Sequence, residues 1–452
     1  MTQRIPHVLV VGGGYVGMYT ALRLQKKLRP DEAEVTVVDL DSYMTYQPFL
    51  PEVAGGNVEA RHVVVFLRRL LPRCTVLSGR VVRVSLADRT ADFQPHEGPG
   101  WRIGFDYLVY APGSISRALP IPGVAEHGIG FKTLEEAIYL RNHVLDKLDL
   151  VASTTDERVR RRALSFVFVG AGYAGVEALA ELEDMAADAC RYFPSLEPSD
   201  MRWVLVEATD KIMPEVGLEL GEWAVQQLRS RGIEVRTRTL LRSAVDHHIV
   251  LSDGEEFDAD TLVWTAGVKP NPLIKDTDLP RDSRDRVKVD EYLTVEGSPF
   301  AFSAGDCAAV PDLTRPGQTT PPNAQHAVRQ APRLADNLIA MLRGAPRRPY
   351  RHKSVGSVAS LGLYRGVANI YGYQLRGFPA WFLHRTYHLS KVPTLNKKTR
   401  VLIDWTLGFL FKREIVAIGA IQHPRHEFEL AARSAREEAA ERRPVAAGAR
   451  SG

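Results

Sequence analysis

A strand–turn–helix pattern that occurs twice constrains the fold of this chain more than any other feature. The first copy, VLVVGGGYVGMYTALRL, starts at Val8 with four apolar residues, passes through a glycine turn and runs into a helical pattern that reaches Leu24. Its glycines fit G-x-G-x-x-G, in which a tight turn lets bare backbone approach a diphosphate at the helix N-terminus. A buried strand that feeds such a turn predicts the first βα unit of a nucleotide-binding fold.

A carboxylate follows at the spacing that a dinucleotide site needs. The next strand, VTVVDLD, contains Asp39, twenty-two residues after Gly17, where it can accept hydrogen bonds from both ribose hydroxyls of an adenosine. We therefore predict that the first nucleotide contacts Gly12, Gly14, Tyr15, Val16, Gly17 and Asp39.

The second copy, FVFVGAGYAGVEALAEL, runs from Phe166 to Leu182, so two dinucleotides are implied. Its strand-end acid is Glu207, thirty-two residues beyond Gly175, because an extra segment that contains YFPSLEPSD lengthens the connection. Beside a ribose, Glu207 would repel a 2′-phosphate and favour NAD over NADP; the alternative is an exposed strand-end charge. The predicted contacts in this unit are Gly170, Gly172, Tyr173, Ala174, Gly175 and Glu207.

Composition limits the other possibilities. The 452 residues, 45% hydrophobic and 25% charged, fit a soluble globular protein of two or three domains. Three scattered cysteines are too few for a disulfide scaffold, a CxxC pair or a zinc cage, so we expect no metal and a reducing compartment. The first apolar strand starts about six residues in, which leaves no room for a signal peptide and predicts a protein that stays in the cytoplasm.

Together these motifs resemble the two-dinucleotide-binding-domain flavoproteins, and the chain is most similar to the type II NADH dehydrogenases, which are non-proton-pumping NADH:quinone oxidoreductases. The stretches that carry this resemblance are TYQPFLPEVAGG, FKTLEEAIYLRNHVL, GVEALAEL and PPNAQHAVRQA. The resemblance implies an α/β fold with two Rossmann-like domains, in which an NADH-binding domain (residues 119–296) is inserted into an FAD-binding domain (residues 1–118 and 297–345).

The resemblance also implies further cofactor contacts. Two strand-end turns, DYLVYAPGS and TLVWTAGVKPNP, resemble the crossovers between the two domains, and FAFSAGDCAAV resembles the stretch that returns to FAD. For FAD the implied residues are Gln47, Pro48, Ala111, Gly113, Gly305, Asp306 and Gln325, and for NADH they are Ala266 and Gly267. We expect Cys307, next to Asp306, to be a small packing residue.

Three residues are candidates for the catalytic site by the same resemblance. Glu177 would lie near the flavin and relay protons if burial raises its pKa; as a plain helix-start carboxylate, its pKa would instead be lowered. Gln325 would line the quinone pocket, and Arg329 stands where the family has the first glutamine of a Q-Q pair. One helical turn separates the two residues, so a cation would border the quinone site.

The implied activity is hydride transfer from NADH to FAD and then transfer of two electrons to a membrane quinone, without proton pumping. Two alternatives are an NADH-dependent flavoprotein reductase with a protein or soluble acceptor and a non-catalytic NADH-sensing flavoprotein. Disulfide reductases and sulfide:quinone oxidoreductases of this fold need redox cysteines, and this chain has none before Cys74. We expect no nucleic-acid partner.

The C-terminal part is basic and aromatic. Residues 346–430 contain fourteen Lys or Arg and four Asp or Glu, and the apolar stretch from Val401 is too short to cross a bilayer. We predict a membrane-associating segment, peripheral on the cytoplasmic side of the cell membrane, with a homodimer interface or a small packed subdomain as the alternatives; residues 431–452 would form a disordered tail. The predicted interfacial residues are Trp381, Phe382, Tyr387, Trp405, Phe409 and Phe411, with Arg385, Lys391, Lys397, Lys398, Arg400, Lys412 and Arg413. His384 and His388 have metal-ligand spacing, but an interfacial role is favoured.

Overall fold

The computed structural model describes residues 4–418, and its elements follow the two nucleotide-binding patterns. The elements up to residue 118 are β1 (His7–Val11), α1 (Tyr15–Lys27), β2 (Glu34–Asp39), β3 (Tyr43–Thr45), α2 (Leu50–Ala54), β4 (Val64–Phe66), α3 (Leu67–Leu70), β5 (Thr75–Ser85), β6 (Thr90–Pro95), β7 (Trp101–Gly104), β8 (Tyr107–Tyr110) and β9 (Ser114–Ser116). The elements from residue 119 to 296 are α4 (Val124–His127), β10 (Gly128–Gly130), α5 (Leu134–Ala152), α6 (Glu157–Ala163), β11 (Ser165–Val169), α7 (Tyr173–Ala189), β12 (Arg202–Val206), α8 (Leu218–Arg229), β13 (Glu234–Arg236), β14 (Leu241–Ser243), β15 (His248–Leu251), β16 (Glu256–Asp258), β17 (Thr261–Trp264), β18 (Val268–Pro270) and β19 (Val287–Lys288). The remaining elements are β20 (Ala301–Ser303), β21 (Ala308–Ala309), α9 (Ala324–Leu342), β22 (Gly356–Ser360), β23 (Gly366–Ile370), β24 (Tyr373–Arg376), α10 (Phe378–Lys391) and α11 (Leu395–Phe411).

The first sheet has seven strands in the order β20-β8-β1-β2-β5-β6-β7. Strands β20 to β5 are parallel, and β5, β6 and β7 are joined in antiparallel pairs. Four of the five residues of β1 are buried, as expected for a parallel strand that is covered on both faces. Helices α1 and α9 pack together beside this sheet and are linked by an ion pair between Arg23 and Asp336 at 2.7 Å.

The second sheet is fully parallel, in the order β10-β17-β11-β12-β13. The chain leaves the first sheet after β8, builds the second sheet and returns to the first at β20. The two crossing segments, β9 and β18, pair with each other in antiparallel register, with Ile115 opposite Lys269. The α/β class with two Rossmann-type sheets is therefore confirmed, while the residue boundaries of the two domains stay predictions.

The C-terminal part adds a three-stranded antiparallel sheet, β22-β23-β24, and the two helices α10 and α11. Phe49, Leu182, Ala359 and Val401 belong to one buried core, so the turn before α2, α7, β22 and α11 pack around a common centre. Among the helices within residues 4–418, none combines the length and apolar character needed to span a bilayer. The predicted tail, and the end of the predicted membrane segment from 419, lie outside the described residues.

The inner faces of α10 and α11 differ from the sequence prediction. Trp381 and Arg385 were expected at a membrane interface, but each is only 7% exposed. Trp405 is partly buried against the core, and Arg413 forms an ion pair with Asp188 at 2.9 Å. Arg385 and Trp405 turn inward because the buried Glu52 on α2 provides a partner for both, which a local pattern cannot reveal.

Candidate active site

In the first glycine-rich turn, neither Gly12 nor Gly17 leaves space for a side chain. A Cβ on Gly12 would lie 2.2 Å from the Ala111 carbonyl oxygen, and one on Gly17 would lie 1.7 Å from the Gly12 carbonyl oxygen. The φ of Gly12, +100°, is in the region that favours glycine. No atom lies within 4 Å of a Cβ built on Gly14, so the N-terminus of α1 is open. This cradle fits the diphosphate of FAD.

Asp39 closes the same turn from the end of β2. Its Oδ2 accepts a hydrogen bond from the Gly13 amide and its Oδ1 accepts one from the Asp41 amide at 2.8 Å. Burial raises the pKa of Asp39, and the two amide donors oppose that rise. The carboxylate is thus fixed at the edge of the turn, where the ribose of a bound adenosine would meet it.

A lysine that the sequence analysis did not assign lies in the centre of the predicted FAD contacts. The ammonium of Lys132 donates to Ser114 Oγ at 2.7 Å, Ser114 Oγ donates to Asp306 Oδ2 at 2.6 Å, and Lys132 Nζ is 3.9 Å from the same carboxylate oxygen. Gln47 Nε2 donates to the Lys132 carbonyl at 3.1 Å. Burial lowers the pKa of Lys132 although Asp306 opposes this. The local signal for Lys132 was its place directly before the capping box of α5 at Thr133.

Gln47 and Pro48 belong to a short 3₁₀ turn that packs against the start of α1. The Gln47 amide donates to the Tyr15 hydroxyl at 3.1 Å, and burial raises the pKa of Tyr15. Val16, the next residue on α1, packs so closely on Gly305 that a Cβ there would lie 2.7 Å from its side chain. The first helix thus contacts both segments that were predicted to hold the flavin half of FAD.

The second glycine-rich turn repeats this construction. A Cβ on Gly170 would lie 2.8 Å from the Ala266 nitrogen, and one on Gly175 would lie 2.0 Å from the Gly170 carbonyl oxygen. Glu207 accepts hydrogen bonds from the Ala171 amide and the Thr209 amide, both at 2.8 Å. It therefore lies beside its turn as Asp39 does, despite the longer connection. The starts of α7 at Gly172 and of the loop at Gly267 are open, with no atom within 4 Å of an added Cβ. Tyr173 and Ala174 form the first turn of α7.

Glu177 is buried one turn into α7, with 7% of its surface exposed. Its Oε1 accepts a hydrogen bond from the Ser360 amide at 2.9 Å and lies 3.1 Å from His384 Nε2. Burial raises the pKa of Glu177 to about 7, although the Ser360 amide lowers it. The dipole of α7 does not dominate, so the carboxyl is in the range in which a proton relay operates at neutral pH.

Gln325 and Arg329 lie one turn apart near the N-terminus of α9. Gln325 Nε2 donates to the Gly356 carbonyl at 3.3 Å, and Arg329 Nη1 donates to the Gln325 carbonyl at 2.7 Å. Gly356 begins β22 and Ser360 ends it, so this one strand connects Gln325 with Glu177. Burial lowers the pKa of the neighbouring His326 to about 4, and the nearby His352 and Arg329 act in the same direction.

A second buried acid, Glu52, was not singled out from the sequence. It is 2% exposed on α2 and lies 3.1 Å from the Arg385 guanidinium, and Trp405 Nε1 donates to it at 2.6 Å. The guanidinium of Arg385 lies over both the Trp381 ring, at 4.4 Å, and the Trp405 ring, at 4.8 Å. Burial raises the pKa of Glu52 to about 7 while Arg385 opposes it. This cluster links α10 and α11 to α2, which directly follows the turn of Gln47 and Pro48.

His384 and His388, predicted at an interface, instead face the protein interior. His384 is 2% exposed, and burial lowers the pKa of His384 to about 4 and that of His388 to about 3. Within residues 4–418, no cluster of His, Cys, Asp or Glu side chains could hold a metal ion. Cys307 is 1% exposed, and burial raises its pKa to about 11, which fits packing rather than nucleophilic chemistry.

Comparison with known proteins identifies relatives of this chain. Residues 6–331 match the family "Pyridine nucleotide-disulphide oxidoreductase". A type II NADH:quinone oxidoreductase of Staphylococcus epidermidis is 30% identical over 390 residues, which cover 85% of this chain and 94% of that protein. A probable NADH dehydrogenase of Dictyostelium discoideum is 29% identical over 418 residues, or 90% of each chain.

Solved structures share the fold. The structure of NDH2 from Plasmodium falciparum in complex with NADH has a TM-score of 0.84 and 18% identity, and the match covers 91% of this chain and all of that one. The sulfide:quinone oxidoreductase of Aquifex aeolicus has a TM-score of 0.68 and 16% identity over 90% of this chain and 96% of that one. Because both sequence identities are below 25%, these two similarities support the fold alone.

Proposed function

The chain belongs to the pyridine nucleotide-disulphide oxidoreductase family and, within it, to the type II NADH:quinone oxidoreductases, and from this we infer that it is an FAD-dependent enzyme that oxidises NADH and reduces a quinone. The observation that carries this inference is the placement of Glu177 on the helix that starts at the second glycine turn. Through His384 and His388 this acid reaches Tyr46, next to Gln47 in the predicted flavin loop. The chain lacks the paired cysteines that would divert electrons to a disulfide.

FAD, when bound, accepts a hydride from NADH and passes two electrons to a second substrate. The Gly12–Gly17 turn would hold its diphosphate and Asp39 its adenosine ribose. Ala111 and Gly113 would border the cofactor, and the pair of Lys132 and Asp306 would fix its central part through charge and hydrogen bonding. Gln47 and Pro48 would lie against the ring system, held in place by Tyr15.

The second turn would bind NADH in the same manner, with Ala266 and Gly267 along the dinucleotide. Glu207 is fixed by two amide donors, so its carboxylate cannot turn away from an incoming ribose without losing both hydrogen bonds. A 2′-phosphate at this place would bring like charges together. The site therefore selects NADH over NADPH.

In the proposed quinone site, Glu177 donates a proton and residues of α9 line one side of the pocket. We propose that Gln325 and Arg329 border the quinone and that Arg329, held against the Gln325 carbonyl, is fixed in one direction. The raised pKa of Glu177 leaves a protonated fraction at neutral pH. The carboxyl can thus donate a proton to the reduced quinone and be protonated again before the next turnover.

We propose that α10 and α11 attach the enzyme to the cytoplasmic side of the cell membrane as a peripheral protein. Exposed apolar side chains on these helices include Phe382, 55% exposed, and Phe409 and Phe411, each about three-quarters exposed. Lys391, Arg400 and Lys412 are exposed among them. Aromatic and aliphatic groups with interleaved cations fit the boundary of an anionic bilayer. The same face in a homodimer is the alternative.

Initial-rate kinetics test the function. With NADH and a short-chain quinone varied together, we expect parallel double-reciprocal lines, because each substrate reacts with one redox state of the enzyme. Intersecting lines would contradict this two-step cycle. Turnover only with a protein acceptor would contradict quinone reduction itself.

A further inference from the structure

Helix α10 carries two histidines whose rings turn into the protein. His384 and His388 are four residues apart, which places them on one helix face, and their ring centroids are 4.6 Å apart at an interplanar angle of 65°. Neither ring takes part in the nucleotide sites described above. Both nitrogens of the buried His384 ring lack a well-aligned hydrogen-bond partner among the described residues.

The pair connects two residues next to the redox site. At one end, His384 Nε2 lies 3.1 Å from Glu177 Oε1. At the other end, His388 Nδ1 lies 3.2 Å from the Tyr46 hydroxyl oxygen. Glu177, His384, His388 and Tyr46 thus lie in a row within the core that contains Phe49.

We propose that His384 and His388 form a proton path that carries protons from solvent to Glu177. The proposal deepens the proposed function, on which it rests, by assigning the route by which the quinone site is refilled with protons.

The reaction requires such a route. NADH contributes two electrons and one proton as a hydride, whereas reduction of a quinone to a quinol consumes two electrons and two protons. One proton for each turnover must therefore come from solvent. Glu177, at 7% exposure, is too deeply buried to exchange with bulk water directly.

The other contacts of Glu177 do not provide an equivalent route. The Ser360 hydroxyl leads to Glu181 at 3.2 Å, but Glu181 is fully buried and its second oxygen accepts from Asn57 Nδ2 at 2.7 Å. A carboxamide does not readily give up or take a proton, so this branch ends at Asn57. The ring of His388 packs against Tyr46 and Phe49, but the residue keeps a solvent-accessible part, three residues before the end of α10.

The protonation state of the two histidine rings favours passing a proton on over holding one. Burial lowers their pKa values to about 4 and about 3, so both rings are neutral at physiological pH. A neutral imidazole has one N–H donor and one acceptor nitrogen, and can take a proton on one side while it releases one on the other. The titratable and charged groups that face the pair are Tyr46 from the loop before α2, Glu177 and Glu181 from α7, and Arg385 and Tyr387 from α10.

The O–H bond of protonated Glu177 breaks as an O–H bond forms on the acceptor that has received two electrons. In a concerted shift, His388 accepts a proton from hydronium or a buffer acid on one nitrogen as it passes the proton of its other nitrogen to His384, and His384 in the same way passes a proton to the Glu177 carboxylate. No electrons move along the path, and the net change is one proton from solvent to the quinol.

A pH jump followed by time-resolved infrared spectroscopy on the FAD-loaded protein tests the path without any quinone. The band of the protonated Glu177 carboxyl is assigned by its loss in Glu177→Gln, and its rate of appearance after a jump to acid is compared among variants. We expect His384→Gln and His388→Gln each to slow protonation of Glu177 by about tenfold or more. The control is His248→Gln, which replaces an exposed histidine on β15.

Added imidazole should restore a large part of the rate in His388→Gln, since this position is partly open to solvent. If His384→Gln fails to retain flavin, His388→Gln carries the test alone. Wild-type protonation rates in folded His388→Gln protein would overturn the path. Failure of the wild-type protein to reduce any quinone would instead contradict the proposed function, while the pH-jump result would still report on proton entry.

Discussion

The Oε2 atom of Glu207 lies 2.8 Å from the amide nitrogen of Ala171, inside the turn that starts the second nucleotide-binding unit. This contact predicts cofactor selectivity, because it would hold the Glu207 carboxylate beside the adenosine ribose of bound NADH, as proposed above. In Glu207→Gln, the single side-chain oxygen can still accept from one of the two amides, Ala171 or Thr209, while the charge is lost. We expect the ratio of kcat/KM for NADH to that for NADPH to fall about tenfold or more.

The control for this change is Glu222→Gln, a glutamate that is exposed on α8. It should leave the ratio unchanged. Unaltered discrimination in Glu207→Gln would remove Glu207 from the ribose site.

The raised pKa of Glu177 predicts that reoxidation of the reduced enzyme by quinone depends on pH. Its pKa of about 7 means that the proton donor is present below this pH and is lost as the pH rises through it. In stopped-flow measurements, reoxidation of the reduced enzyme by quinone should slow above pH 7, whereas reduction by NADH should not. In Glu177→Gln, reoxidation should be about a hundredfold slower and independent of pH; a retained inflection near pH 7 would assign the proton to another group.

The same group affects stability with a defined sign. The pKa of Glu177 is raised from an ordinary value of 4.5, so folding is penalised increasingly as the pH rises from about 4.5 to about 7, and the penalty is constant above. Glu177→Gln should lack this component of the pH dependence of the free energy of unfolding. Denaturant titrations of both proteins at pH 5 and pH 8 measure the difference, and parallel pH profiles would contradict the raised pKa.

The position of Lys132 predicts that this residue contributes to the affinity for FAD. It links Ser114 and Asp306, so Lys132→Met would leave the Asp306 carboxylate without its nearest cation. We expect about tenfold weaker FAD binding, measured by the fluorescence of released flavin during dialysis. Lys288→Met, at an exposed lysine on β19, is the matched control. Equal flavin retention in both variants would show that Lys132 has no part in the FAD site.

The outer face of α11 predicts membrane binding. Replacing Phe409, Leu410 and Phe411 with serine removes three side chains that are between 63% and 76% exposed and make up the apolar end of the helix. We expect the fraction that sediments with anionic vesicles to fall severalfold, while bleaching of the flavin by NADH stays unchanged. Tyr192→Ser, at a 62% exposed aromatic residue outside this face, is the control. A larger sedimentation coefficient for the wild type than for the triple variant would favour a dimer interface instead.

The nucleotide-binding parts of the fold could be predicted because their signals are local. A buried strand, a glycine turn and a helix occupy fewer than twenty consecutive residues, as from Val8 to Leu24, and the strand-end acids follow in the next strand. The long connection before Glu207 does not change the position of this residue, because the parallel register of β11 and β12 brings its carboxylate to the turn.

The inner half of the site could not be predicted because distant segments create it. Arg385 is buried by Glu52, and His384 by Glu177, partners that are more than two hundred residues away in the chain. A local pattern of aromatic and basic residues on α10 is compatible with either a membrane face or a packed face. Only the position of the buried acids decides which side of the helix turns inward. The pKa of Glu177 has the same origin, because its burial depends on β22 and α10.

An anaerobic titration in one cuvette tests the central claim most directly. The purified protein should show an oxidised flavin spectrum, bleach completely with about one equivalent of NADH per flavin, and regain its colour on addition of about one equivalent of quinone. A protein that stays colourless when FAD is added, or that bleaches with NADH but is not reoxidised by any quinone, would contradict the account.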